Sequence, residues 1–302
     1  MKQANQLTHF APVQACLGES PVWDLLSGTL FFIDITAGEI YAIEGSQPPR
    51  LIYRSTRRVG ALAMTTAGNL LFTEDAQLAL FDLTIGAVIS RSLAATTQPS
   101  FRYNDGACDP QGRFITGLMD EAHSPGSGSL HGYGADLQKT VLLNGLGLPN
   151  GIAWSATGET VYYVDSVARA IYQADWCADY ARLHNSRLLA ETPASLGRPD
   201  GIAVDVAGNL WVCQFNGGCL LHFSATGRLL QRVDLPVPRP TSCCFGGEGL
   251  ATLFITSARF GMTQDELHRF PQAGDIFSLP VAVPGLNPHR FNEALFSPDV
   301  NR

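Results

Sequence analysis

The strongest constraint on this chain is a repeat that its sequence contains six times. Two copies are nearly the same, "LPNGIAWSATGETVYYVD" from Leu148 and "RPDGIAVDVAGNLWVCQ" from Arg198. One position, just ahead of an apolar run, recurs at intervals of 41 to 50 residues. A period of this length indicates a solenoid, a propeller or an array of small units. In chain order, the position holds Glu19, Gly60, Asn104, Asn150, Asp200 and Thr241.

The pattern within one copy decides between these architectures. After Asp200, four short apolar runs are separated by the glycine-bearing turns "DVAGN", "NGG" and "TGR", and no helical period lies between them. Short strands that alternate with such turns are typical of an antiparallel sheet. Four antiparallel strands make one propeller blade, so six repeats predict an all-β, six-bladed β-propeller.

The two ends of the chain predict how the ring closes. The sixth repeat supplies three strands, and the residues after Gly285 do not resemble a fourth. The amino-terminal segment "QLTHFAPVQACL" is the candidate for the missing outer strand, which would leave no open sheet edge. Because the ring then needs residues from both ends, we expect residues 1–302 to form a single domain.

Composition excludes several classes of protein. The chain is 45% hydrophobic, enough for a large core, and its net charge of −7 includes no basic stripe, so nucleic acid is not an expected partner. No stretch reaches the roughly 20 apolar residues of a membrane span, and no secretory signal is recognisable. Seven cysteines without a CxxC pair predict neither a disulfide framework nor a zinc knuckle. We expect a soluble, cytoplasmic protein without a membrane partner; the sequence leaves the oligomeric state open.

The propeller geometry gives the varying position a chemical meaning. First strands line the central channel and enter it from one face, so the six positions become neighbours around the axis. Four of them carry a carboxylate or an amide oxygen: Glu19, Asn104, Asn150 and Asp200. Two buried carboxylates this close repel unless a cation lies between them. We therefore predict one divalent ion, with Ca²⁺ first, Mg²⁺ or Mn²⁺ next, and Zn²⁺ less suited to oxygen ligands. Turn capping or bound channel water is the alternative.

Arginine also recurs at the entrance to the predicted channel. Arg102 lies two residues before Asn104 in "FRYND", where it could contact a substrate. Arg58, Arg198 and Arg239 hold the same offset in other copies. A structural role common to the repeats is therefore an open alternative for Arg102.

Two long connections, "GLMDEAHSPGSGSL" and "TSARFGMTQDELHRFPQAG", fall on the same face as the oxygen cluster. Their length and glycine content predict pocket walls or lids. In the first connection, Glu121 is a candidate substrate contact, whereas His123 is expected to be an exposed loop residue rather than a base. Turn bonding is expected of the acids at strand-to-turn junctions: Asp109, Asp165 and Asp205.

Nearly the whole chain resembles the regucalcin/gluconolactonase family of six-bladed propellers. The resemblance is carried by "LGESPVWD", "RYNDGACDPQGRFITGLM", "LPNGIAWS", "RPDGIAVDVAGNLWV", "LPVPRPTSCCFGG" and "GDIFSLP". It implies one divalent ion and hydrolysis of sugar-acid lactones. It implies metal ligation by Glu19, Asn150 and Asp200, with Asp200 also the general base, and substrate contacts from Arg102 and Asn104.

One departure from the family pattern leaves a substrate contact undecided. The family's acidic contact follows a "GTM" motif, which reads "GLM" here because Leu118 replaces Thr. The alignment leaves Asp120, Glu121 or neither as the equivalent, and Glu121 is taken as the candidate. The function implied is metal-dependent opening of an aldonolactone ring, such as that of a gluconolactone or a pentonolactone. A phosphotriesterase-like hydrolase on the same metal site and a non-catalytic calcium-binding regulatory protein are the alternatives.

Overall fold

Six four-stranded antiparallel sheets follow one another along the chain. They belong to a computed structural model that describes residues 6–293. Residues 1–5 and 294–302, the ends of the predicted 1–302 domain, lie outside the described residues. The predicted all-β, six-bladed propeller with four strands per blade is confirmed.

The strands are numbered in chain order, and β1 (Thr8–Ala11) precedes blade one. Blade one contains β2 (Gly18–Asp24), β3 (Thr29–Asp34), β4 (Glu39–Glu44) and β5 (Arg50–Arg54). Blade two contains β6 (Val59–Met64), β7 (Leu70–Glu74), β8 (Gln77–Asp82) and β9 (Ala87–Arg91). Blade three contains β10 (Phe101–Cys108), β11 (Phe114–Asp120), β12 (Gly128–Tyr133) and β13 (Lys139–Leu146). Blades four and five contain β14 (Pro149–Trp154), β15 (Thr160–Asp165), β16 (Ala170–Cys177), β17 (Arg182–Glu191); and β18 (Arg198–Val204), β19 (Leu210–Phe215), β20 (Cys219–Phe223), β21 (Leu229–Asp234). Blade six contains β22 (Pro240–Gly246), β23 (Thr252–Ser257) and β24 (Ile276–Pro280). Short 3-10 turns span Ala178–Tyr180, Ala194–Leu196 and Glu248–Leu250.

The ring closes as the chain ends predict. β1 pairs antiparallel with β24, so blade six has the order β1-β24-β23-β22. Asp275, just before β24, accepts hydrogen bonds from the N–H groups of Val13 and Gln14. Its second carboxylate oxygen lies 2.8 Å from His9 Nε2. Each first strand contacts the first strand of the next blade, and β22 contacts β2 to complete the circle.

A β-bulge interrupts the pairing of first and second strands at the same place in every blade. The register shifts between Tyr103 and Gly106 in blade three and between Pro199 and Ile202 in blade five. Corresponding shifts occur in the other four blades. The six varying positions of the repeat lie at these bulges. A bulge places two residues opposite one and bends the strand, so side chains are re-aimed there.

The repeated "PNG" and "PDG" have their glycine because the first strands crowd one another. A Cβ on Gly151 would lie 2.6 Å from the carbonyl oxygen of Asp200. A Cβ on Gly201 would lie 2.2 Å from Ser242 Oγ in the next blade. A side chain directly after the polar position would therefore push neighbouring blades apart.

Residues 281–293 form a strap across the face where the first strands end. Gly285 bridges to Asp205 of blade five, and Phe291 bridges to Thr65 of blade two. Arg290 forms an ion pair with a residue of blade one, Asp24. The strap links separate blades and does not add a fourth strand to blade six, as expected from the sequence.

The connection between β23 and β24 contains a helix that the sequence analysis treated as loop, α1 (Gln264–Arg269). The side chain of Thr263 accepts a hydrogen bond from Glu266 N–H, and the Glu266 side chain accepts one from Thr263 N–H. This capping box is visible in the sequence as "TQDE".

Within residues 6–293, no helix is both long and apolar enough to cross a membrane. The other predicted long connection is only residues 121–127, because its flanks belong to β11 and β12.

Several residues have the structural role that the sequence predicts. Asp109, Asp165 and Asp205 each accept hydrogen bonds from backbone N–H groups of their own turns. All seven cysteines are unpaired. The buried ones pack as small apolar side chains: Cys108, Cys213, Cys219 and Cys243.

Substitution of Asp275 by Ala tests the ring closure. We expect it to lower the free energy of unfolding by about 2 kcal/mol, because the N–H groups of Val13 and Gln14 lose their acceptor. Chemical denaturation measures the change. His9→Ala removes only a half-exposed partner of Asp275 and should cost less than about 1 kcal/mol. Equal losses in the two variants would contradict a closure that depends on the backbone contacts.

Candidate metal and active site

A cavity of about 140 Å³ lies where the first strands begin. It is surrounded by five of the six predicted site residues: Glu19, Arg102, Asn104, Asn150 and Asp200. All five are buried, although they come from four blades. The sixth, Glu121, does not line the cavity but lies behind Arg102, at 3.6 Å from its Nε.

The two remaining equivalent positions have structural roles. A Cβ on Gly60 would lie 2.2 Å from the carbonyl oxygen of Tyr103, so blade two has no room for a side chain there. Thr241 Oγ1 donates to the carbonyl oxygen of Gly18 at 2.5 Å and lies 2.8 Å from Thr256 Oγ1. Blade six therefore uses its position to attach itself to blade one.

A chain of hydrogen bonds orients the two amides of the site. Asn150 Nδ2 donates to Ser166 Oγ at 3.1 Å, and Ser166 Oγ donates to the carbonyl oxygen of Pro199. Asn150 Oδ1 accepts a hydrogen bond of 3.0 Å from Asn104 Nδ2. The assignment of oxygen and nitrogen in each amide follows from these partners. Asn150 therefore turns its oxygen, the atom that a cation would bind, away from Ser166.

Arg102 connects Asn104 to Glu121, the acidic candidate that lies behind it. Its Nη1 donates to Asn104 Oδ1 at 2.8 Å and to the carbonyl oxygen of Tyr103 at 3.0 Å. Burial lowers the pKa of Arg102 to about 10, so its guanidinium stays charged at neutral pH. Glu121 forms ion pairs with both Arg58 and Arg102.

The alternative acid in the same connection, Asp120, has a local role. Its carboxylate accepts hydrogen bonds from Ala122 N–H at 3.1 Å and from Ser124 Oγ at 2.6 Å, which closes the turn. Asp120 and Glu121 are adjacent, yet only Glu121 reaches Arg102. His123 is exposed, as expected, but it also lines the cavity.

The acids of the site destabilise one another when ionised. Burial raises the pKa of Asp200 well above its usual range, and the charge of Asp105 raises it further. Burial, followed by the charges of Asp200 and Asp105, does the same to the pKa of Glu19. Burial also raises the pKa of Asp105 to about 6. Three carboxylates thus share one low-dielectric region.

Asp105 is a site residue that the sequence analysis missed. Only one position per repeat was aligned, but the bulge turns two successive residues toward the axis. Asn104 lines the cavity described above, and Asp105 lines a second one of about 180 Å³, which residues 286–289 border on the strap side. The acid that directly follows Asn104 in "RYNDG" was the available signal.

Backbone strain accompanies the bulge of blade one. Ser20, directly after Glu19, has a backbone φ of +46°, which residues other than glycine rarely adopt. Two contacts hold it there: Ser20 N–H donates to Glu19 Oε2, and Ser20 Oγ accepts from Leu62 N–H of blade two. Strained residues persist where the surroundings fix them, often at functional sites.

This donor set fits a hard divalent cation. Within residues 6–293, the buried Asp200 Oδ1 has no hydrogen-bond partner, which is costly for a carboxylate oxygen. Over the described part of the chain, no three His, Cys, Asp or Glu side chains are grouped to hold a metal ion. A cation here would therefore need the amide oxygen of Asn150 in addition to carboxylates from Glu19 and Asp200.

Comparison with known proteins identifies the family of this chain. The sequence profile of the SMP-30/gluconolactonase/LRE-like region matches residues 17–259. The chain belongs to this family. Regucalcin of Oryctolagus cuniculus is 32% identical to it, over 93% of this chain and 96% of the relative.

Solved structures show the same fold as this SMP-30/gluconolactonase/LRE-like protein. A calcium-binding protein, regucalcin, from Agrobacterium tumefaciens superposes with a TM-score of 0.90 at 24% identity, over 95% of this chain and 98% of the other. A gluconolactonase from Xanthomonas campestris superposes with a TM-score of 0.74 at 20% identity, over 93% and 90%.

In this family member, a buried polar network supports the strand that carries Arg102 and Asn104. The hydroxyl of Tyr103, between them, lies 2.8 Å from His131 Nδ1 and 2.6 Å from the hydroxyl of Tyr133. Ser129 Oγ lies 2.9 Å from His131 Nε2. Burial, followed by the charge of Lys139, lowers the pKa of His131 to about 4. The imidazole is therefore neutral at physiological pH.

This network predicts a stability that declines in acid. Above about pH 6.5, His131 is neutral in both folded and unfolded chains; below it, the unfolded chain takes up the proton first. The contribution of His131 is thus complete above pH 6.5 and is lost as pH falls toward 4. We expect the wild type to lose roughly 2 kcal/mol of unfolding free energy from this residue between pH 7 and 5.

Denaturation of His131→Gln at both pH values checks this prediction, because the variant should lack that part of the decline. The exposed His184 provides a control: His184→Gln should decline as the wild type does. The comparison between proteins also removes the opposite contribution of Glu19 and Asp200, whose raised pKa values favour the folded chain in acid. The same decline in His131→Gln as in the wild type would contradict a buried neutral imidazole.

Proposed function

We propose that this protein is a metal-dependent lactonase that opens the ring of a sugar-acid lactone, such as a gluconolactone or a pentonolactone. The observation that carries the proposal is the buried Oδ1 of Asp200, which has no partner, in a cavity that Arg102 and Asn104 also line. The family name and the gluconolactonase from Xanthomonas campestris support this class of reaction.

Glu19, Asn150 and Asp200 would hold one divalent ion. Ca²⁺ is the first candidate because all three ligands are oxygens, and the description of the Agrobacterium tumefaciens relative as a calcium-binding protein supports it. When bound, the ion supplies Lewis acidity toward a carbonyl oxygen.

Asp200 acts as the general base. It takes a proton from the attacking water while the water oxygen bonds to the lactone carbonyl carbon. The bond between that carbon and the ring oxygen then breaks, and the proton passes to the ring oxygen, which becomes a hydroxyl group. Burial and the charge of Asp105 raise the pKa of Asp200, which offsets part of the acidifying effect of a bound cation.

Arg102 and Asn104 bind hydroxyl groups of the sugar. The hydrogen bond between Arg102 Nη1 and Asn104 Oδ1 holds the two side chains as one unit. Glu121 contacts Arg102 from the far side and also pairs with Arg58, so it positions the guanidinium. Orientation of this kind lowers the barrier because the lactone arrives already aligned.

Kinetics on a panel of aldonolactones tests the chemistry. Ring opening releases acid, so a pH-indicator assay follows it. We expect Asp200→Asn to lower kcat by roughly 10²–10⁴-fold, the usual loss of a general base, and a chelator to lower wild-type turnover. Asp234→Asn, at an exposed position of the same blade, is the control. Unchanged turnover in Asp200→Asn would contradict the proposed mechanism.

Thermal denaturation tests the ion without using activity. At a Ca²⁺ concentration about 100 times its Kd, we expect stabilisation of about 2.7 kcal/mol, or on the order of 5 °C in Tm, because only the folded chain presents the site. Glu19→Gln and Asp200→Asn should lose this response, and Asp234→Asn should retain it. A Tm that rises equally in all four proteins would place the bound calcium elsewhere.

A non-catalytic calcium-binding protein is the second candidate, favoured by the regucalcin names of the relatives. It requires the Tm response to calcium but no turnover of any lactone. Fluorophosphate esters belong in the same panel, since their faster turnover would identify a phosphotriesterase-like hydrolase instead. Arg102 and Asn104 favour the lactonase, because an ion site alone does not need them.

A further inference from the structure

Six equivalent residues each lie two positions before the varying position of their blade, and four of them line the cavity. They are Leu17, Arg58, Arg102, Leu148, Arg198 and Arg239. Four arginines at one structural position suggest a common structural role, and the contacts of each arginine test that interpretation.

Three of the four arginines bind the protein. Arg58 pairs with Asp75 and Glu121, and its Nη2 donates to the carbonyl oxygen of Pro99. Arg102 is held by Asn104, Glu121 and a backbone carbonyl. Arg239 donates to Asn216 Oδ1 at 2.7 Å and to the carbonyl oxygen of Phe260, so it fixes the connection that contains α1. These contacts account for three guanidinium groups without any ligand.

Arg198 differs from the other three. Its side chain is exposed and lines the same cavity as Glu19 and Asp200. In the described residues, its guanidinium has neither a hydrogen bond nor an ion pair, while the strand beside it contributes Phe215 to the cavity wall. Arg198 is thus an exposed cation that borders the cavity of Glu19 and Asp200 and has no protein partner within residues 6–293.

A guanidinium offers a planar fork of donors that matches a carboxylate with two parallel hydrogen bonds. Arg198 is a single unpaired guanidinium, which suits a singly charged planar anion better than a phosphate dianion. With the lactone carbonyl near Asp200, the end of the sugar farthest from that carbonyl is the part that would approach the mouth.

We propose that Arg198 is a specificity residue that binds a carboxylate of the substrate, so that the preferred lactones derive from sugar diacids. These lactones retain a free carboxylate after ring closure. The inference rests on the proposed lactonase function and narrows its substrate class.

The test compares D-glucaro-1,4-lactone, which carries a carboxylate, with neutral D-glucono-1,5-lactone. Wild type should have the higher kcat/KM on the carboxylated lactone. In Arg198→Gln, the loss of kcat/KM on the carboxylated lactone should exceed the loss on the neutral one by roughly 10–100-fold, mainly through KM, as expected for a charged hydrogen-bonded pair. Arg198→Lys should recover part of the difference. Arg228→Gln, an exposed substitution on the opposite face of the same blade, should behave as the wild type does.

Calorimetric titration of the products provides a readout that does not need turnover. Wild type should bind glucarate more tightly than gluconate, and Arg198→Gln should lose that preference. Equal losses on both lactones, or preference for a 6-phosphorylated lactone, would overturn the inference and leave the lactonase proposal standing. Absence of turnover on every lactone would overturn the lactonase proposal and this inference with it.

Discussion

Six first strands meet around one axis, and their backbones approach so closely that a methylene group at Gly151 or Gly201 would collide with the neighbouring blade. The closeness depends on the ring being complete. β1 pairs with β24, and Thr241 binds the carbonyl oxygen of Gly18, so the last blade is fastened to the first. Residues 181 positions apart in the chain, Glu19 and Asp200, line one cavity as a result.

The same close approach of the first strands brings carboxylates near one another, where their charges repel. Glu19 and Asp200 are buried, and Asp105 beside them is half-buried. The charge of Asp105 raises the free energy of ionising both, and the charge of Asp200 does the same to Glu19. A protein that needed only stability would have no use for such a cluster, because apolar side chains would fill the axis at lower cost. The acids are therefore best understood through the cation that they would bind, and the strained backbone of Ser20 beside them belongs to the same arrangement.

Sequence periodicity was sufficient to predict the propeller, the number of blades and the strand that closes it. A period of 41 to 50 residues with four strand-turn units has few other solutions. Symmetry also predicted that Glu19, Asn104, Asn150 and Asp200 converge. It could not predict Asp105, because the bulge that turns a second residue toward the axis is a feature of backbone pairing rather than of composition. Nor could it decide between Asp120 and Glu121, because the two acids are adjacent and only their contacts distinguish them: Asp120 binds Ser124, and Glu121 binds Arg102.

The sequence by itself therefore determined the architecture and the chemical character of its hub, since both follow from residue types repeated at a fixed interval. Tertiary structure alone decided which of several like residues is available for function. Arg58, Arg102, Arg198 and Arg239 are equivalent in the repeat, but only contacts from other blades and connections distinguish them. Within residues 6–293, Arg198 has no protein partner, whereas acids and carbonyls of neighbouring blades and connections contact the other three. Such neighbours are set by packing rather than by order along the chain.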